Sequence, residues 1–162
     1  MSSEKEKVLF LVDIQNAYYT TRSVFQCHLD YNQLWREVGQ DRVISHAFAY
    51  AIDRGDKKQQ EFQNILRAIG FNIKLKPYIQ RADGSAKGDW DVGITIDALE
   101  YAKWVDTIVL VSGDGDFDLL AKTLRENHGK RVEVYGVQKL TAASLINAAD
   151  QFIPIEGALL LL

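Results

Sequence analysis

The stretch TIVLVSGDGDFDLLAKTLRENHGKRVEVYGV, residues 107–137, holds a complete strand–helix–strand unit. TIVLVSG (107–113) is apolar almost throughout, the pattern of a strand covered on both faces. DFDLLAKTLRENHG (116–129) reads as a helix closed by Gly129, and RVEVYGV (131–137) as the next strand. Strand, helix and strand at this spacing make a parallel pair joined by a right-handed crossover. The turn between the first strand and the helix carries Asp114 and Asp116, with Asp118 two residues further on.

Outward from this unit the alternation continues. VLFLVDI (8–14) is a further buried strand, and DYNQLWREVG (30–39) a helix ending at Gly39. RVISHAFAYAI (42–52) is a strand, and DKKQQEFQNILRAIG (56–70) a helix with Asp56 as N-cap and Gly70 just past its end. FNIKLKPYI (71–79) is a strand whose Pro77 points to an edge position or to early fraying. A polar loop (81–89) leads to a helix over 90–104. After the 107–137 unit, TAASLINAA (141–149) is a short helix and QFIPIE (151–156) a sixth strand. The expected fold is therefore α/β, a three-layer Rossmann-like sandwich with a mainly parallel central sheet.

The chain has 162 residues, 47% of them hydrophobic, which suits one domain over 1–162 with a flexible leader (1–6) and a C-terminal tail (157–162). ALLLL in that tail reads as a docked segment or a homodimer contact. No apolar run approaches the roughly 18–20 residues that span a bilayer, and MSSEKEK is not the start of a secretory signal. Cys27 is the single cysteine, so a thiolate metal site and an internal disulfide are excluded, and a cytoplasmic protein is expected. The net charge of −3 offers no global attraction for a polyanion. Locally, Arg54, Lys57, Lys58, Arg67, Lys74, Lys76, Arg81 and Lys87 outweigh Asp56, Glu61 and Asp83, which is either a phosphate-facing surface or a solvated helix face.

In open parallel sheets ligands bind beyond the carboxyl ends of the strands, where the strand order reverses. Asp13 and Asn16 lie at the exit of strand 8–14, and Asp114 and Asp116 at the exit of strand 107–113. Were these strands neighbours, the acids would meet across roughly 5 Å. Asp91, in the first turn of helix 90–104, would join them at the same edge. Any one of these acids alone is more simply a helix cap. Acids converging from three loops instead suit a hard divalent cation, Mg²⁺ or Mn²⁺. Without it, one carboxyl should hold its proton unusually firmly.

Asp118, inside a helical first turn, reads as a favourable partner of the helix dipole, and Asp97, six residues past Asp91, as a weak candidate. An EF-hand is excluded because Leu119 and Arg125 fall where glycine and glutamate are required. No phosphate-binding glycine motif, Walker lysine or nucleophile elbow occurs. His28, His46 and His128 lack ligand spacing; His46 is expected in the core, and Cys27 is expected to be inert. Trp35 and Trp104 are assigned to the core, whereas Tyr18, Tyr19 and Trp90 are either base-stacking groups or half-buried packing.

LVDIQN (11–16), KGDWDVGITIDAL (87–99) and LVSGDGDFDLLAKTLRENHGKRVEVYG (110–136) resemble, in this order, the motifs of NYN domains of the LabA-like group. Those domains are similar to PIN-type nucleases. The resemblance runs over roughly residues 7–156 and implies a PIN-like sandwich and a metal-dependent ribonuclease site. On that basis Asp13, Asp91, Asp114 and Asp116 would form the metal and catalytic set, with Asn16 and Lys87 in the same pocket.

The chemistry agrees with the residues. Phosphodiester hydrolysis needs an activated water and charge neutralisation at phosphorus, both of which divalent ions supply without a cysteine or histidine nucleophile. Asp13, Asp91 and Asp114 are expected to hold the metal directly or through water, and Asp116 to orient the attacking water or a second ion. Asn16 would bond a carboxylate or a water, Lys87 a phosphate, and Ser112 and Thr95 would support them. A single-stranded RNA would be the substrate. The competing reading is a non-catalytic RNA- or protein-binding regulatory module that retains the acidic pocket. A haloacid-type phosphatase is disfavoured because the first strand ends in Asp13-x-Gln15 rather than in paired aspartates.

Overall fold

The computed structural model describes residues 4–77, 79–80, 86–87 and 89–161. Its elements in chain order are β1 (Lys7–Asp13), α1 (Ile14–Phe25), β2 (His28–Leu29), α2 (Tyr31–Val38), β3 (Val43–Asp53), α3 (Lys57–Ile69) and β4 (Asn72–Pro77). There follow β5 (Ile79–Gln80), β6 (Ala86–Lys87), α4 (Asp91–Tyr101), β7 (Thr107–Val111), α5 (Asp118–Glu126), β8 (Arg131–Gly136), α6 (Ala143–Ala148), β9 (Gln151–Pro154) and β10 (Leu160–Leu161). Six strands form one sheet in the order β4-β3-β1-β7-β8-β9, and each neighbouring pair is parallel. Chain order within that sheet reverses between β1 and β7, so the ligand-binding crevice of a doubly wound sheet lies at their carboxyl ends. β4 is an edge strand and ends at Pro77.

Side chains alternate across a strand, so β1 feeds two cores. Val8, Phe10 and Val12 pack with Ile14 and Ala17 of α1, Leu34 and Val38 of α2 and Leu66 of α3. Leu9 and Leu11 face the opposite way, toward Ile94 and Ala98 of α4, Leu120 and Leu124 of α5 and Leu145 of α6. Three helices thus cover each face. β1 from Val8 to Val12 and β7 throughout are buried, which is why they read as continuous apolar runs.

The helix α1 is a finding beyond the sequence reading. Ile14–Phe25 has no charged residue except Arg22 and is rich in aromatic and β-branched side chains, which favour helix weakly. Its inward face contains Thr20 and Thr21, whose hydroxyls donate to the Asn16 and Ala17 carbonyls at 2.8 Å, so each buried oxygen is satisfied within the helix. Asp13 starts it by accepting from the Asn16 N–H.

At the opposite edge of the sheet Arg42 reaches Glu133 through both guanidinium nitrogens (2.9 and 2.8 Å) and Glu6 at 3.1 Å. The C-terminal segment pairs β10 with β2 in antiparallel fashion and buries Leu159, so it is docked on its own chain. Homodimerisation gains no support from it. Among the described residues no helix is long and apolar enough to cross a membrane. Trp104 corrects the sequence reading: it is 60% exposed, stranded on a short 3-10 turn after α4 with Lys103 over its ring. His46 is half-buried against Tyr101 rather than fully enclosed.

Candidate metal centre

β1 and β7 are adjacent and in register from Val8 opposite Thr107 to Val12 opposite Val111, so their next residues emerge side by side at the carboxyl edge. Asp13 ends β1 and is only 8% exposed. The Ser112 hydroxyl donates to its Oδ2 (3.3 Å) and in turn accepts the Asp114 N–H (3.2 Å). Asn16 Oδ1 accepts the Gly113 N–H at 2.9 Å, tying α1 to the β7 loop. Asn16 and Ser112 therefore bind the two strand exits to each other.

The loop after β7 turns through a 3-10 helix (Gly115–Phe117), capped by Asp114 Oδ1 accepting the Asp116 N–H at 2.9 Å. Its glycines are needed for close packing. A Cβ on Gly113 would stand 2.8 Å from the Leu140 carbonyl oxygen, and one on Gly115 2.8 Å from the Ala142 Cβ. This explains GDGD: the acids alternate with residues that must be bare for the loop to press against 140–142.

Asp91 comes from the other side, at the first turn of α4. Carboxylate oxygens of Asp91, Asp114 and Asp116 all lie within 4.8 Å of one another. Asp13 is not part of that trio, yet its charge acts on Asp91, and Asp114 acts on Asp13. Burial pushes the Asp13 carboxyl up to about 6, opposed by its bonds from Asn16 and Ser112 and reinforced by Asp114 and Asp89. Asp91 is pushed up to about 7, by burial first and then by a hydrogen bond and charge repulsion from Asp114. No lysine or arginine among the described residues pairs with these acids. The donor set is wholly carboxylate oxygen, which suits Mg²⁺ or Mn²⁺ and not a soft metal.

Sequence reasoning missed one acid here and left open the role of Trp90, which its packing settles. Asp89 accepts the Asp91 N–H at 3.2 Å and raises both neighbouring carboxyls. The repeat Asp89-x-Asp91 was the available signal. Trp90 seats the helix: its Nε1–H donates to the Ala51 carbonyl at 2.9 Å, its ring packs on Tyr50 and Lys76 Nζ lies 4.5 Å above it. Lys76 also donates to the Asp89 carbonyl at 3.0 Å. Asp97 clamps the same helix, accepting from Tyr50 at 2.8 Å and Lys74 at 2.7 Å. Lys74 and Lys76 are thus engaged within the protein rather than displayed to a phosphate. Thr95 donates to the Asp91 carbonyl (2.7 Å). Asp118 begins α5 and is not in the trio. The backbone of Lys87 pairs with Ile79 in the β5–β6 ribbon; its side chain, like Arg81, falls outside the described residues.

The profile of the NYN domain matches residues 7–156. The low amplitude and bright protein LabA of Synechococcus elongatus is 28% identical over 119 residues, a match covering 70% of this chain and 63% of LabA. The chain thus spans less than two thirds of that relative. The crystal structure of VPA0982, a protein of unknown function from Vibrio parahaemolyticus, shares 53% identity and a TM-score of 0.94 over 99% of both chains. With its α/β/α fold and its motifs in order from β1 to β8, the chain belongs to the NYN domain family.

Proposed function

We propose that this protein is a metal-dependent ribonuclease that hydrolyses phosphodiester bonds at the carboxyl edge of β1 and β7. NYN domains belong with the PIN-like nucleases, and the observation carrying the reading is the meeting of Asp91 on α4 with Asp114 and Asp116 on the β7 loop. Asp91, Asp114 and Asp116 would hold a Mg²⁺ or Mn²⁺ ion, with Asp13 acting through water. When bound, such an ion supplies Lewis acidity toward a phosphoryl oxygen and a water acidic enough to react near neutrality. Asp116, the exposed member, faces solvent and would orient the attacking water. Ser112 holds Asp13, and Asn16 has its oxygen committed to Gly113, which leaves its amide hydrogens for a ligand. Lys87 would contact a phosphate beside the scissile bond.

The test is cleavage of end-labelled single-stranded RNA in Mn²⁺ against EDTA, with Asp91→Asn and Asp114→Asn alongside. Cleavage that needs the ion and falls by about a hundredfold or more in either variant supports the reading. Wild-type protein that binds Mn²⁺ and RNA but leaves the RNA intact would favour the regulatory binding module.

A further inference from the structure

We propose that the outer face of α1 is a track for a single RNA strand leaving the acidic pocket, with Tyr19 as a base-stacking platform and Arg22 as a phosphate contact. The choice of polymer rests on the nuclease reading, whereas the track rests on α1 itself. The helix begins at Asp13, and Asn16 one residue row later is bonded to the loop of Asp114. Residues three and four apart share a helix face, which sets Asn16, Tyr19 and Arg22 in one row and Gln15, Tyr18 and Arg22 in the next. Helical side chains lean toward the N-terminus, so both tyrosines tilt toward the pocket end. Tyr19 lies six residues past Asp13, about 9 Å along the axis.

The composition of this face is unlike the rest of an acidic protein. α1 contains no aspartate or glutamate, and among the described residues Arg22 has no carboxylate partner. Tyr19 is 66% exposed and makes no ring contact among the described residues, so its π-face is open. Tyr18 is 45% exposed but fixed: its ring stacks on His28 at 5.6 Å and 22°, and its hydroxyl accepts from Arg22 at 2.6 Å. That bond also aims the guanidinium, and His28 is itself held in β2 by the β10 pairing. An open aromatic face beside an unneutralised, pre-oriented cation is what a single strand needs, because every base has a face to stack and every linkage a charge.

The experiment is fluorescence anisotropy with a labelled unstructured RNA 12-mer in Ca²⁺, titrated at several salt concentrations, using the full chain. Tyr19→Ala should weaken binding about fivefold or more, Tyr19→Phe should restore it to within about twofold, and Arg22→Ala should lower the slope of log K against log salt by about one. Both side chains are solvent-facing, so thermal midpoints should stay unchanged. Wild-type binding that is undetectable, or Tyr19→Ala and Arg22→Ala both binding as wild type, would overturn the track. Cleavage assays separate the two claims. Metal-dependent cleavage with an unaltered KM in Tyr19→Ala sinks the track and spares the nuclease, while Tyr19-dependent binding without cleavage does the reverse.

Discussion

Asp13→Asn removes a charge from a nearly enclosed site while keeping an oxygen where the Asn16 N–H needs one. Asparagine and aspartate cap helices about equally well, so the start of α1 is preserved. In the wild type the Asp13 carboxyl titrates at about 6 instead of 3.8, mainly because of burial. A shift of that size corresponds to about 3 kcal/mol at 1.36 kcal/mol per unit. The folded pKa lies above the unfolded one, so the folded state binds the proton more tightly. The resulting stabilisation is complete below about pH 4 and is lost as pH rises through about 6. At pH 8 in EDTA, wild-type protein therefore bears this cost in full, and Asp13→Asn should be more stable by about 1–3 kcal/mol, the upper limit being the whole shift. At pH 3.5, below both values, the two should nearly coincide. Denaturant titrations at both pH values, in EDTA, give the comparison. In millimolar Mn²⁺ at pH 8 the order should close or invert, because an ion that binds only the folded state stabilises the wild type by RT ln(1 + [L]/Kd). Asp13→Asn less stable than wild type at pH 8, or a difference independent of pH, would reduce Asp13 to an ordinary cap and refute the reasoning.

Other consequences can be checked separately. Since Asp91 is raised to about 7 and Asp13 to about 6, protons compete with the cation, and Mn²⁺ affinity measured calorimetrically should weaken by about tenfold or more from pH 8 to 5.5, with proton release on binding; a Kd that ignores pH would contradict this. Gly93→Ala should push Trp90 from its seat, because the new Cβ would lie 2.5 Å from the ring. Altered tryptophan emission, about tenfold weaker Mn²⁺ binding and lower metal-free stability are expected, because the helix gain of up to about 1 kcal/mol from alanine does not offset the lost Trp90 packing and hydrogen bond. Glu133→Gln should destabilise by about 3 kcal/mol at pH 7 by leaving Arg42 without its bidentate partner. Against the burial that opposes it, Arg42 and Arg131 hold the Glu133 carboxyl below its ordinary value. That contribution is present above the unfolded pKa and should vanish in acid, which urea titrations at pH 7 and 3 would reveal.

The six sheet strands were legible because each is either a buried apolar run or carries an edge signal such as Pro77. The meeting of Asp13 with the Asp114 loop followed from the adjacency of β1 and β7, which parallel topology makes the natural pairing, and Asp91 joins Asp114 from the first turn of α4 at the same edge. α1 was hidden because its inward face uses threonines that satisfy themselves locally, a solution invisible to hydrophobic periodicity. β2 and β10 are two residues each, too short to carry a pattern. Asp89 was passed over as loop polarity, since only the fold brings its charge beside Asp13. Trp104 defeated the expectation that large aromatics lie inside, because it sits on the exposed 3-10 turn that closes α4, and the chain enters the sheet as β7 only three residues later.

The acids of the pocket are carried by different layers: Asp13 opens the helix on one side of the sheet, Asp91 belongs to a helix on the other, and Asp114 and Asp116 sit on the seam. Their mutual repulsion therefore acts as a wedge between the two helical coats at one rim of the molecule. Whatever discharges them, proton or cation, should tighten both coats together, so amides of α1 and α4 would gain protection from exchange in concert although the sheet separates them.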